Sequence, residues 1–235
     1  MDQPPLVSLR SVATVAGLAL AALVACGDAN DVGAESESWP AGTILALDGV
    51  PISIEEIDMA LVPVDLVEMS KSDTHKQRLA LTNIVLPRAV ARLMAGEQFA
   101  RARAAIEAVH RQAVAGELPG PPGPHGEYGQ YRSGNWRELG LVAWGAALDA
   151  APGEWSVVNE EVGAFLIVRV LHREDGPVPE ATKLELDVLS QPYLPPGVGT
   201  RDVEAKMGEL RLTIVDPAWR TIVPEHYQYR MGVHR

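Results

Sequence analysis

The chain has 235 residues, 47% of them hydrophobic and 22% charged, with a formal net charge of −11. That is a globular composition, long enough for one domain or two small ones. The acidic balance, with no basic stripe, argues against a nucleic-acid partner, whose phosphates need clustered Lys and Arg. The six histidines are scattered, and with one cysteine in the chain they argue against a structural zinc site; no metal or cofactor is expected.

Residues 1–25 read as a targeting segment. Arg10 and the free amine supply positive charge, and Ser11 to Val24 is an uncharged run too short to span a bilayer comfortably. It ends in Leu23-Val24-Ala25-Cys26, which resembles the bacterial lipobox. The resemblance implies that Cys26 is lipidated and becomes the first mature residue, anchoring the protein in the bacterial cell envelope on the periplasmic or surface side. Each buried methylene of an acyl chain contributes about 0.8 kcal/mol, and several chains together hold firmly. The alternative is an ordinary buried cysteine after an apolar run. Residues 26–41 carry Gly, Ser, Asp and Glu with little to bury and read as a flexible tether.

Residues 42–116 are expected to form a hairpin followed by a helical domain. Ile44 to Leu47 and Val50 to Ile52 are short apolar strands around the turn pair Asp48-Gly49. Ser53 and Glu56 have capping-box spacing at the start of a helix, which Pro63 is expected to interrupt. Ser70 to Thr74 is loop-like. A second helix runs from His75 to Val85, and Pro87 then opens the next segment. Pro87 to Ala115 reads as one long helix, with Phe99, Ala102, Ile106, Val109 and Ala113 on its core face and Gly116 as its stop. Its Arg88, Arg92, Arg101, Arg103 and Arg111 read as part of a solvated face.

Residues 117–135 are dominated by Pro and Gly and are expected to be a linker or long loop. Tyr128, Tyr131 and Trp136 would either grip peptide or pin that loop to the core. In residues 136–182, Trp136 to Leu148 is helical by spacing and Pro152-Gly153 forces a turn. Trp155 to Val158 is a short strand, Glu160 to Gly163 a second turn, and Ala164 to Leu171 a strand covered on both faces. Residues 183–235 form an extension. Lys183 to Leu189 is a half-buried strand with Leu184, Leu186 and Val188 inward and charges outward, Asp202 to Leu210 is a helix, and Leu212 to Val215 and Thr221 to Val223 are extended. These late strands would either complete a sheet or pair with the first hairpin. His226, Tyr227, Tyr229 and His234 read as a terminal polar segment, since their spacing does not suit chelation.

Two stretches carry a family resemblance. Leu47-Asp48-Gly49-Val50-Pro51-Ile52, followed by Glu56, resembles the opening of the SurA- and PrsA-type periplasmic foldases. Glu138-Leu139-Gly140, Pro152-Gly153-Glu154-Trp155-Ser156-Val157-Val158 and Gly163-Ala164-Phe165-Leu166-Ile167-Val168-Arg169-Val170 resemble, in order and spacing, the second half of parvulin-type peptidyl-prolyl isomerases. The resemblance implies an α+β fold: a helical part with a β-hairpin start, packed on a parvulin-like small antiparallel sheet. It also implies binding of unfolded or extended segments of exported proteins. Parvulins place a histidine in each of two strands at the base of the groove. The second falls here at Phe165. The first could only be matched by Asn83, within Leu81 to Leu86, residues that also read as helix.

Prolyl isomerisation must lower a barrier of about 18–20 kcal/mol, by an apolar cradle and polar groups that favour the twisted amide. Without the histidines that activity is expected to be weak or lost, and no catalytic residue is assigned. Trp144, Trp155 and Phe165 are the candidate apolar wall for peptide. The alternative is a non-enzymatic envelope lipoprotein acting as a scaffold or assembly factor. A hydrolase is disfavoured, because no G-x-S-x-G, H-E-x-x-H or phosphate-cradling loop is present.

Overall fold

A computed structural model describes residues 39–118 and 129–230. The expected signal peptide, Cys26, nearly all of the tether, Tyr128 with the middle of the Pro/Gly segment, and His234 lie outside the described residues. Strand β1 (Thr43–Leu47) is buried along its whole length and pairs with β2 (Val50–Ser53). Asp48 (φ 47°) and Gly49 (φ 81°) form the expected tight turn. The other side of β1 is taken by β7 (Leu212–Ile214), so a three-stranded sheet joins the two ends of the described chain.

Helix α1 (Ile54–Val67) starts on the expected box: the Glu56 amide donates to Ser53 Oγ at 3.3 Å and the Ser53 amide to Glu56 Oε2 at 3.1 Å. Pro63 does not interrupt it. The missing amide frees the Met59 carbonyl, and with Met59 66% exposed, water can take that bond. Helix α2 (Asp73–Ala80) leads into a wide π turn over Leu81–Val85, closed by the Leu86 amide donating to the Leu81 carbonyl. The widened turn makes room for Pro87 in the first turn of α3 (Leu86–Ala95). It also decides the open reading of Leu81 to Leu86, which is helical.

The single helix expected from Pro87 to Ala115 is broken. Gly96 sits at φ 53°, ψ −128°, a backbone state open in practice only to glycine. Beyond it α4 (Glu97–Ala115) leaves at 107° to the Asp73–Ala95 run. The core face of α4 is as expected: Ala102, Ile106 and Ala113 are buried, Phe99 and Val109 pack beside them, and Gly116 ends the helix.

The Pro/Gly segment is not wholly loop. Its end forms β3 (Gln130–Gly134), which leads into α5 (Trp136–Leu139) and α6 (Leu141–Asp149). Trp155 to Val158 is not a strand; Trp155 makes only an isolated bridge to Arg169. Strand β4 (Asn159–Glu161) instead occupies part of the expected turn, before β5 (Ala164–Glu174) and β6 (Lys183–Pro192). These make an antiparallel sheet in the order β3-β6-β5-β4. After β6 come α7 (Thr200–Met207), β7, a 3-10 turn over Pro217–Thr221, and α8 (Glu225–Arg230); Thr221 to Val223, expected to be extended, is the end of that turn and no strand. The late strands therefore do both expected jobs: β6 completes one sheet and β7 pairs with the hairpin.

The architecture is α+β. One face of the larger sheet buries Leu166, Val168, Val170, Leu184, Leu186 and Val188 with Trp144 of α6. The opposite face carries Phe165 and Ile167 into the main core with α4. That second face of β6 is not solvated as expected. Asp187 is fully buried and pairs with Arg169 at 2.9 Å, while the Arg169 guanidinium lies 5.2 Å from the centre of the Trp155 ring. A buried carboxylate on an alternating strand reads as an outward residue until the helix covering it is known.

Candidate functional site

A cleft of about 430 Å³ opens where α1, α3, α4 and α6 meet the start of the larger sheet. Its rim is apolar and unusually open: Met59 is 66% exposed, Val62 50% and Val157 71%. Gly145 and Ala146 of α6 keep its wall low, because neither carries bulk beyond a methyl group. Its depth is set by Phe165, packed against Phe99 at 5.0 Å and Tyr193 at 5.2 Å between ring centres. The volume lies within the range of about 300–1,000 Å³ usual for small-ligand sites.

The polar floor comes from α3. Its residues Arg88 and Arg92 stand one helical turn apart and both line the cleft. Arg92 forks onto Glu160, with Nε donating to Oε1 at 2.8 Å and a terminal nitrogen to Oε2 at 2.6 Å, and it also reaches Glu56. Burial opposes the Arg92 charge, but the two carboxylates outweigh it and hold the guanidinium above its usual range. The Tyr193 hydroxyl lies 3.1 Å from Glu160 Oε1 and 3.0 Å from the Glu161 carbonyl. Burial, with the neighbouring Glu160 carboxylate, pushes its pKa far above the usual tyrosine value, so the phenol stays protonated. This set is mutually satisfied and fixes β4 to α1 and α3.

Arg88 differs. Its Nε is buried with no hydrogen-bond partner among the described residues. Burial pulls its charged form down, and the nearby Glu160 carboxylate only partly offsets this. Glu161, next to Glu160, is raised by burial, against the pull of Arg132 and Arg88.

Of the three expected wall residues, only Phe165 lines the cleft. Trp144 is fully buried on the other face of the sheet, where its Nε1 donates to the Thr182 carbonyl at 3.2 Å. Trp155 is half-buried beneath Arg169 and lines no part of the cleft. Asn83 is exposed on a separate cavity of about 390 Å³ beside Glu204 and Tyr227. The two positions matched to the parvulin histidines therefore do not share a groove.

Compared with known proteins, the chain matches no family model, no curated protein and no solved structure.

The sequence reading missed Arg88, Arg92, Glu160 and Tyr193. A signal for the arginines was available. They lie among Leu86, Ala89, Val90 and Ala91 rather than among the exposed charges of α4, and a Gly separates the two groups. Glu160 and Tyr193 carried no comparable mark, since their roles come from a long-range meeting of β4, α3 and the end of β6. Among the described residues no group of three or more His, Cys, Asp or Glu side chains could hold a metal. What the cleft offers is an apolar grip around one arginine that forms no ion pair among the described residues.

Proposed function

We propose that this protein is a membrane-anchored, foldase- or chaperone-like lipoprotein of the cell envelope, related to the parvulin group. It holds extended segments of exported polypeptides in the cleft beside Phe165. The observation that carries this reading is the convergence of three exposed apolar side chains, Met59, Val62 and Val157, on one concave site. Isolated exposed apolar residues need no explanation, but a cluster around a cleft marks a binding surface. The anchor is Cys26, through which the cleft stays close to the membrane. Phe165 stands where a catalytic histidine is expected and has no polar group to offer a twisting amide, so isomerase activity is weak or absent.

The test is fluorescence anisotropy of a labelled, amidated peptide of alternating Val, Thr and Gln with the full chain in detergent. Binding is expected, and the double variant Val62→Ser/Val157→Ser weakens it about tenfold, the size of one lost apolar burial. An unchanged affinity in that variant would place any peptide elsewhere. Absence of binding would favour the scaffold reading. A proline tetrapeptide in the same preparation is expected to isomerise at the uncatalysed rate.

A further inference from the structure

We propose that Arg88 anchors a carboxylate of the bound chain, so that the cleft selects extended segments in which a Glu or Asp side chain lies next to apolar ones. This rests on the peptide-binding reading above and specifies its substrate.

The two arginines of α3 share a helix, a face and a cleft, yet only Arg92 is neutralised. Glu160 attracts both, but its hydrogen bonds go to the Arg92 fork and the Tyr193 hydroxyl and none to Arg88. Glu161 attracts Arg88 from a distance but makes no ion pair with it. Arg88 therefore forms no ion pair among the described residues, while its Nε is shut away from water. The enclosed Nε is out of a ligand's reach, but the terminal nitrogens are not enclosed, and they are the part of the guanidinium that a carboxylate in the cleft can complete.

Met59 and Val85, with the paired Glu56 and Arg92, line a small cavity beside it, so a pair formed there is partly screened from water. A carboxylate suits the planar fork of the guanidinium, with two parallel hydrogen bonds. A dianionic phosphate suits the site less well. Exposed Asp149 also lines the cleft, and the net charge of the chain is −11, so one free cation there is matched by one negative charge. The apolar rim then takes the residues on either side of the acid, since alternate side chains of an extended segment face the same way.

The experiment uses anisotropy with the full chain and three labelled probes: an amidated Val/Thr/Glu peptide, the same peptide with Gln for Glu, and the Gln peptide with a free C-terminal carboxylate. The Glu peptide is expected to bind at least about tenfold tighter than the Gln amide, the size of a hydrogen bond to a charged group. The free-acid Gln peptide shows whether a chain end substitutes for the side chain; a preference confined to it overturns the side-chain assignment. Arg88→Gln erases the Glu-over-Gln preference. Arg101→Gln, on the outer face of α4, retains it, and millimolar inorganic phosphate does not compete.

Equal binding of the Glu and Gln peptides, or a preference that survives Arg88→Gln, overturns the proposal while leaving the cleft a peptide site. Failure of every probe to bind removes the peptide-binding reading and this inference with it. If circular dichroism shows Arg88→Gln to be unfolded, Arg88→Lys decides. It keeps the charge but not the fork, and it must weaken the preference.

Discussion

Arg88 and Arg92 stand four residues apart on α3 and meet opposite fates. Arg92 is locked by Glu56 and Glu160, whereas Arg88 forms no ion pair among the described residues. Glu161 shows the same economy of partners from the acidic side. Burial raises its pKa in the folded chain above the unfolded value, which for glutamate is about 4.3. The folded state then binds the proton more tightly. The resulting stabilisation is complete below the unfolded value and is lost as pH rises through the folded one. At neutral pH the ionised Glu161 therefore weighs against the fold. Thermal unfolding of Glu161→Gln is expected to give a higher Tm than the parent at pH 7 and no advantage below the ordinary glutamate range. A lower Tm at pH 7 would mean that attraction to Arg132 and Arg88 outweighs burial.

Among the elements, the contact of α1 with α6 shapes the cleft most directly. Pro63 survives inside α1 and lies against Gly145, where an added Cβ would sit 2.7 Å from the proline Cβ. Gly145→Ala is expected to push the helices apart at a cost of about 1–3 kcal/mol. The urea midpoint should fall with the slope unchanged. Combining it with Pro63→Gly, which removes that Cβ, should recover part of the loss, a coupling that a double-mutant cycle measures. An additive pair would show that the two residues do not constrain each other.

Much at this scale was legible in the sequence, because it is written locally. The Asp48-Gly49 turn, the Ser53 and Glu56 cap, the Gly116 stop and the apolar run of β5 each need only neighbouring residues. Pro63, Gly96 and Asp187 were misread for one common reason. What each does depends on a distant partner: a bare glycine on α6, the divergence of α4, or an arginine on the next strand. The cleft was only half legible for the same reason. Phe165 stood out on the strand and the apolar neighbours of Arg88 hinted at burial, but Glu160 and Tyr193 had no mark until β4 and the end of β6 were in place.

For the whole molecule, the two ends of the described chain are joined by one short strand. β1 lies between β2 and β7, and its five residues are all buried. Removing residues 210–235 would strip one edge of that sheet and leave an apolar strand with unpaired backbone, a template for association. The shortened chain is expected to unfold without a cooperative transition and to sediment as aggregates. A soluble product with a sharp melt would show that the hairpin is stable without its late partner.

That closure has a consequence for a chain that emerges on the far side of a membrane N-terminus first. Its opening hairpin would be delivered early, with one flank still bare, and the segment that seals it would arrive at the end of export. Secretion would thus set the order of assembly. A chain so exported would need its own newly exposed strand shielded during the interval.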